Sequence, residues 1–319
     1  IAGGGGGIPV VRGRRGDWQG VQAVVDKDLT SALLARSLGI KRLLILTAVE
    51  RVAVDFGQPR ERALSQVTVS ELKALQRAGH ELTALGAAVL PVRLDVSDAG
   101  QVERLGAATV ERFGAPHLVF NNAGVGAGDL IWEHTLADWQ WVIGVNLMGM
   151  AHGLRVFTPL MLEAAERDPD YEGHMINTAS MAGLVNPPNM GVYNVSKHAV
   201  VAMSETLYQD LSLVSDQVRA HVLCPFFVST GIAHSDRNRP QELANATNKP
   251  TRSQLIAQVM TDKAVGSGRV SAAMVAQFVI DAVRDDRFYI YSHPKALGSV
   301  QTRLEDVMTP GPKTLSPDE

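Results

Sequence analysis

Cysteine is almost missing from this chain of 319 residues, where Cys224 stands alone. That excludes an internal disulfide framework and makes a reducing cytoplasm the expected compartment. The thiol sits in the apolar run His221-Val-Leu-Cys-Pro225, which predicts a buried, inert side chain rather than a nucleophile. Nor is there an excess of charge of one sign: the net charge is −3, which gives no electrostatic reason to expect nucleic acid or an anionic membrane as partner. No stretch reaches the ~18 to 20 apolar residues needed to span a bilayer. Arg14-Arg15 has no hydrophobic segment behind it and reads as solvated surface rather than an export signal. The histidines, His293 included, show no ligand spacing, so no metal is expected. The chain begins with Ile1 rather than Met, the expectation for a processed product or a partial gene.

What is present is ordinary for a globular protein: 45% hydrophobic and 20% charged residues, enough for one large or two modest domains. Apolar runs alternate with amphipathic segments throughout, which argues for an α/β protein with a largely parallel sheet. Strands are predicted over 43–46, 89–94, 117–120, 174–178, 219–223 and 288–291, and helices over 26–38, 70–78, 99–112, 136–164, 193–214, 271–283 and 295–306. The segment 235–251 is polar and without apolar period, and reads as a long loop or lid. There is no internal repeat.

Four landmarks carry chemistry. Asn121-Asn-Ala-Gly124 follows an apolar strand, and its small residues allow close backbone approach to a ligand. Asn146 lies partway along a long helical pattern, and Ser180 ends a strand. Tyr193 and Lys197 stand at i and i+4, so they share one helix face. A tyrosine hydroxyl titrates near ~10, and a nearby ammonium that stabilises the phenolate lowers that value toward proton transfer at neutral pH. Taken singly, each has a bland reading: a surface Tyr-x-x-x-Lys, a serine cap, a solvated asparagine. Together, in this order and with 13 positions from Ser180 to Tyr193, they resemble the short-chain dehydrogenase/reductase family over residues 86–319.

The resemblance implies a Rossmann-like, doubly wound, mostly parallel sheet and an NAD- or NADP-dependent hydride transfer to or from a small or medium apolar alcohol or ketone. It implies catalytic roles for Tyr193 (proton exchange), Lys197 (tuning and ribose binding), Ser180 (polarising the substrate oxygen) and Asn146 (anchoring a relay water). It assigns cofactor contacts to Asp95 and Val96 beside adenine, to Asn122, Ala123 and Gly124, and to Pro225, Val228 and Thr230 near the nicotinamide. Asp95 reads equally as a helix cap. Phe226 stands where the family has glycine, a difference that bears on the backbone path. Residues 181–190 and the loop after Thr230 are expected to line the substrate pocket, and the helices over 136–164 and 193–214 to form a homo-oligomer interface.

Residues 1 to about 80 read differently. Ile1-Ala-Gly-Gly-Gly-Gly-Gly-Ile-Pro-Val10, Val24-Val-Asp-Lys-Asp-Leu-Thr-Ser-Ala-Leu-Leu-Ala35 and Leu43-Leu-Ile-Leu-Thr-Ala-Val49 resemble an internal stretch of carbamate kinase, of the amino-acid kinase family. The expected division is a kinase-like α/β fragment at 1–84 and a dehydrogenase domain at 85–319 that lacks its Thr-Gly-x-x-x-Gly-x-Gly turn, so that the fragment replaces the first βαβ unit. Gly3–Gly7 is a poor substitute for that turn, because roughly twenty residues separate it from the helix at Asp26. Lys27 and Asp28 would belong to phosphoryl-transfer machinery by resemblance, and to ordinary first-turn helix charge otherwise. Three readings follow: an oxidoreductase, a catalytically inactive fusion with an assembly role, and residual nucleotide binding by the kinase-like fragment. A further expectation is that strand 43–46 joins the dehydrogenase sheet and covers the apolar run 89–94 at its edge.

Overall fold

The computed structural model describes residues 94–245, 249–309 and 311, together with Leu90, Val92 and the strand segments 10–12, 18–20, 44–46, 53–54 and 62–63. The helices expected over 26–38 and 70–78, the glycines 3–7, Lys27 and Asp28 lie outside the described residues.

Five strands form one sheet: β1 (Leu44–Leu46), β2 (Leu118–Asn121), β3 (Gly173–Thr178), β4 (Val218–Cys224) and β5 (Tyr289–Tyr291), arranged in space in that order. Every pairing is parallel. All four residues of β2 are buried, as are the first five of β3. Near-continuous apolar runs of this kind are what a parallel sheet covered on both faces requires. The crossovers are helical: α1 (Ala99–Phe113), α2 (Leu136–Ile143), α3 (Gly149–Arg167), α4 (Gly191–Val214), α5 (Arg252–Gly266), α6 (Ala272–Arg284) and α7 (Leu297–Met308). Alternate side chains of β2, β3 and β4 feed different cores. Val119, Met175 and Ala220 pack with Phe157 and Met161 on one face, and Phe120, Ile176 and Leu223 with Val279 and Ile280 on the other. The sheet is therefore doubly wound. Two further antiparallel pairs, 10–12 with 18–20 and 53–54 with 62–63, stand outside it.

Three expectations need correction. Among the described residues of 89–94 none is in a strand, and Leu90 and Val92 are exposed. It is β2 that β1 pairs with, Leu44 opposite Val119 and Leu46 opposite Asn121, so the fragment's strand covers the edge of the 118–121 strand instead. The helix expected over 136–164 is interrupted by a π-turn, Gly144–Met148, between α2 and α3. Finally, α5 follows directly on the segment 235–251, opened by a capping box in which Thr251 and Gln254 satisfy each other's backbone amides. The described residues of 235–251 carry the end of the 3₁₀ turn Gly231–Asn238 and the turn Gln241–Leu243.

Candidate active site

The parallel strands β2, β3 and β4 all end at one edge of the sheet, and the chain turns there at Asn122–Gly124, Ser180 and Pro225. An open α/β sheet binds ligands outside the carboxyl ends of its strands. Tyr193 lies in the first turn of α4, and Lys197 one turn on. Ser180 leaves β3 with extended backbone and caps the short 3₁₀ turn Met181–Gly183, its Oγ accepting from the Ala182 amide at 3.1 Å. The Ser180 side chain lies close enough to the Tyr193 hydroxyl to act on its pKa. Lys197 is buried, and its Nζ donates to the Thr178 carbonyl at 2.9 Å and stands 5.7 Å from the centre of the Tyr193 ring.

Burial of Tyr193 raises its phenol above the ordinary value of 10.0, and the neighbouring Ser180 side chain only partly offsets this. Burial also pulls Lys197 down, to about 8, with the neighbouring Cys224 working in the other direction. Cys224 is fully buried and its thiol is pushed up to about 12 by that burial, an inert side chain as the sequence predicts.

Asn146 sits in the π-turn, a wider loop of helix that often marks functional sites. Its side chain is committed. Nδ2 donates to the Val125 carbonyl and to Ser196 Oγ, both at 2.9 Å, while Oδ1 accepts from the Val125 amide at 2.8 Å. Both donor hydrogens are thus used in holding the turn after Gly124 against α4. Gly124 fits between these groups: a Cβ there would stand 3.5 Å from Lys197 Nζ and 3.6 Å from Asn146 Oδ1.

The expected cofactor residues divide into two groups. Val96, Asn121, Asn122, Ala123, Gly149 and Met150 line a small cleft of about 200 Å³ at the strand ends, and Asn122 Oδ1 accepts from Thr178 Oγ1 at 3.0 Å. Asp95 borders a neighbouring cleft with Ser97 and Trp141; it receives the Ser97 amide and hydroxyl at 2.9 and 2.8 Å. It is not the helix cap, since Asp98 caps α1 through the Gln101 amide. On the other side, the Pro225 carbonyl accepts from the Met181 amide at 2.9 Å, Val228 is buried, and Thr230 caps the turn Gly231–Asn238. Phe226 takes no left-handed backbone, so the glycine it replaces is not required by φ. Met181, expected in the pocket, is instead buried with Val200, Val222 and Cys224.

Not foreseen from sequence is a polar cluster behind this site. Asp138 caps its own helix with Thr135 and takes Arg239 Nη1 at 2.6 Å. Asn245 joins it, bonded to Asp138 and Thr135. The Thr135-x-x-Asp138 spacing is a legible capping signal; the partnership with Arg239, 101 positions away, is not.

An open parallel sheet with a Tyr–Lys pair, a serine and a glycine turn at its carboxyl edge defines a nicotinamide-dinucleotide-dependent oxidoreductase. The sequence profile of the short chain dehydrogenases matches residues 61–241, and the chain belongs to that family. Residues 3–97 also match the profile of the amino acid kinase family, so the two matches overlap at 61–97. The chain is 30% identical over 263 residues, 82% of this chain and 90% of the other, to a CLA biosynthesis dehydrogenase/reductase of Lactiplantibacillus plantarum. It is 33% identical, over 73% of this chain and 75% of the other, to 1-deoxy-11-beta-hydroxypentalenate dehydrogenase of Streptomyces exfoliatus. Among solved structures, a short chain dehydrogenase/reductase from Burkholderia phymatum in complex with NAD shares 42% identity and a TM-score of 0.77, covering 90% of this chain and 93% of that one. No helix among the described residues is long and apolar enough to cross a membrane.

Proposed function

We propose that this protein interconverts a small or medium apolar alcohol and its ketone with NAD or NADP, using Tyr193, Ser180, Lys197 and Asn146. The observation that carries the reading is the convergence of the Tyr193 and Ser180 side chains at the carboxyl edge of the sheet, with Lys197 one helical turn behind. By the family resemblance, Gly124 and the residues Val96, Asn122 and Ala123 at the strand ends would border the ribose and adenine portions of a dinucleotide. The Thr-Gly-x-x-x-Gly-x-Gly turn that meets the pyrophosphate in the resembling family has no counterpart in this sequence.

When bound, the nicotinamide supplies or accepts the hydride. Ser180 Oγ and Tyr193 Oη both reach one substrate oxygen and polarise its bond to carbon. Burial keeps the Tyr193 phenol protonated at neutral pH, which suits donation of that proton to the oxygen of a ketone undergoing reduction. In the reverse direction the same oxygen receives the alcohol proton. Lys197, beside Gly124, would hold the ribose hydroxyls of a bound cofactor, and its depressed value of about 8 leaves it able to pass a proton near neutrality. The Asn146 side chain holds Val125 and Ser196, so a relay water at this turn would be held by backbone carbonyl or by the second lone pair of Oδ1. The loop after Gly128 and the helix α5 packed on it expose apolar side chains, Ile131, Trp132, Leu255, Ile256 and Val259, which favours an apolar substrate.

The test is a titration of the purified chain with NADH and NADPH followed by nicotinamide fluorescence, then turnover of a panel of secondary alcohols, with Tyr193→Phe alongside. Micromolar binding of one cofactor, and turnover that Tyr193→Phe reduces about 10²- to 10⁴-fold, is the expected result. No binding at millimolar cofactor would overturn the reading and leave an inactive fusion.

A further inference from the structure

Three sets of polar contacts tie the segment after Thr230 to residues 126–138. Ser235 Oγ accepts from the Gly126 amide at 3.1 Å; Arg239 and Asn245 hold Asp138; and the start of α5 is held by Asp129. This last contact is unusual. Asp129 is fully buried and, among the described residues, forms no ion pair with an arginine or lysine of the kind Asp138 makes with Arg239. Its Oδ1 accepts from the Leu130 amide at 3.0 Å, from Ser253 Oγ at 2.6 Å and from Thr251 Oγ1 at 3.2 Å, while Oδ2 has no partner. Glu133 also meets Ser253 Oγ. Two of the three donors to Asp129 therefore come from α5 and its cap.

Packing reinforces the contact. Gly128 approaches α5 so closely that a Cβ there would lie 2.6 Å from the Ala257 Cβ. The same loop touches the site: a Cβ at Gly126 would stand 3.9 Å from Tyr193 Cδ2, and one at Gly128 3.2 Å from the Asn189 carbonyl. Residues 126–129 thus lie between Tyr193 and α5.

We propose that Asp129 is a positioning residue, which seats α5 through Ser253 and Thr251 against the loop bordering Tyr193 and so sets the affinity for substrate. This rests on the dehydrogenase reading above. Seating α5 strips water from the Asp129 carboxyl, and the hydrogen bonds from Ser253, Thr251 and the Leu130 amide offset that cost.

The experiment uses the full chain and compares Ser253→Ala, Ser253→Thr and Asp129→Asn with the native protein. Amide hydrogen exchange is read over 252–266, and NAD-dependent turnover with 2-butanol and 2-octanol as probes. Ser253→Ala leaves the buried carboxylate short of one donor, so the α5 amides exchange about tenfold faster. KM for 2-octanol rises by a similar factor, while kcat stays within about twofold and NADH binds as before. Ser253→Thr restores both readouts. Asp129→Asn keeps the acceptor and removes the charge, so its α5 amides exchange no faster than native. Unchanged exchange in Ser253→Ala would overturn the seat, and faster exchange with unchanged KM would overturn the positioning role. If the native protein turns over neither alcohol, that counts against the dehydrogenase reading, and the exchange result still decides the seat.

Discussion

Replacing Asn146 by alanine separates a side chain that holds structure from one that only touches water. The amide makes three hydrogen bonds inside the protein, two of them to the amide and carbonyl of Val125, whose side chain is buried as well. In Asn146→Ala both backbone groups lose their partner, and each buried unpaired group costs about 1–3 kcal/mol. Partial relaxation of the π-turn recovers some of this, leaving a loss of about 2–5 kcal/mol. With a urea dependence of about 2–3 kcal/mol per molar, the midpoint of equilibrium unfolding falls by about 1–2 M at unchanged slope. Asn146→Asp at pH 7 is expected to lose at least as much, since a carboxylate oxygen then faces the Val125 carbonyl in place of an N–H. Ser196→Ala removes only one of the three bonds and costs about 1 kcal/mol. An Asn146→Ala midpoint within about 0.3 M of native would refute the reasoning, because Val125 would then have found other partners at no cost.

Gly153→Ala places a Cβ 2.1 Å from Asn121 Oδ1, inside the buried pair that Asn121 makes with Asn177 at 2.9 Å; overpacking of about 1–3 kcal/mol is expected in urea unfolding, and a native-like midpoint would count against it. Asp138→Ala leaves Arg239 nearly buried without its carboxylate, and burial, which works against the charge on Asp138, is already outweighed by hydrogen bonds from Thr135 and Arg239 that hold its pKa low; a loss of about 3–5 kcal/mol and rapid tryptic cleavage within 237–252 should follow. Acid weakens the fold through the buried imidazole pair His174 Nδ1 and His221 Nε2, 3.0 Å apart. Burial, with the neighbouring His221 and Arg219, lowers His174 to about 3 from 6.5, so the unfolded chain takes a proton that the folded one refuses. That stability is complete above about pH 6.5 and has fallen by about 2 kcal/mol at pH 5. His174→Gln should flatten this limb of the urea midpoint against pH, and an unchanged limb would exclude the pair as its source.

How much of this was legible beforehand depends on whether the signal was local. Tyr193 and Lys197 share a face because helical spacing demands it, and Ser180 ends a strand because the apolar run before it stops there. Local pattern also placed β2, β3 and β4 to within a residue or so of their observed bounds, and with them the edge at which the site forms. The helix at 252–266 went unpredicted although Thr251 and Gln254 carry a capping signal, because its exposed face is apolar at Leu255, Ile256, Val259 and Met260 and blurs the period. The break at Gly144–Met148 has no local mark; it is enforced by Asn146 reaching Val125, 21 positions away.

By itself, then, the amino-acid sequence determined the parallel α/β architecture, the inert Cys224, the order and spacing of the catalytic landmarks and the double family resemblance. Tertiary structure alone decided which strand stands beside β2, the direction in which burial moves Tyr193 and Lys197, and the burial of Asp129 under the start of α5. The physical reason is one of range. Periodicity, capping and helical spacing act over a few residues and can be read along the chain. Desolvation and hydrogen bonds between distant segments exist only once the segments have met.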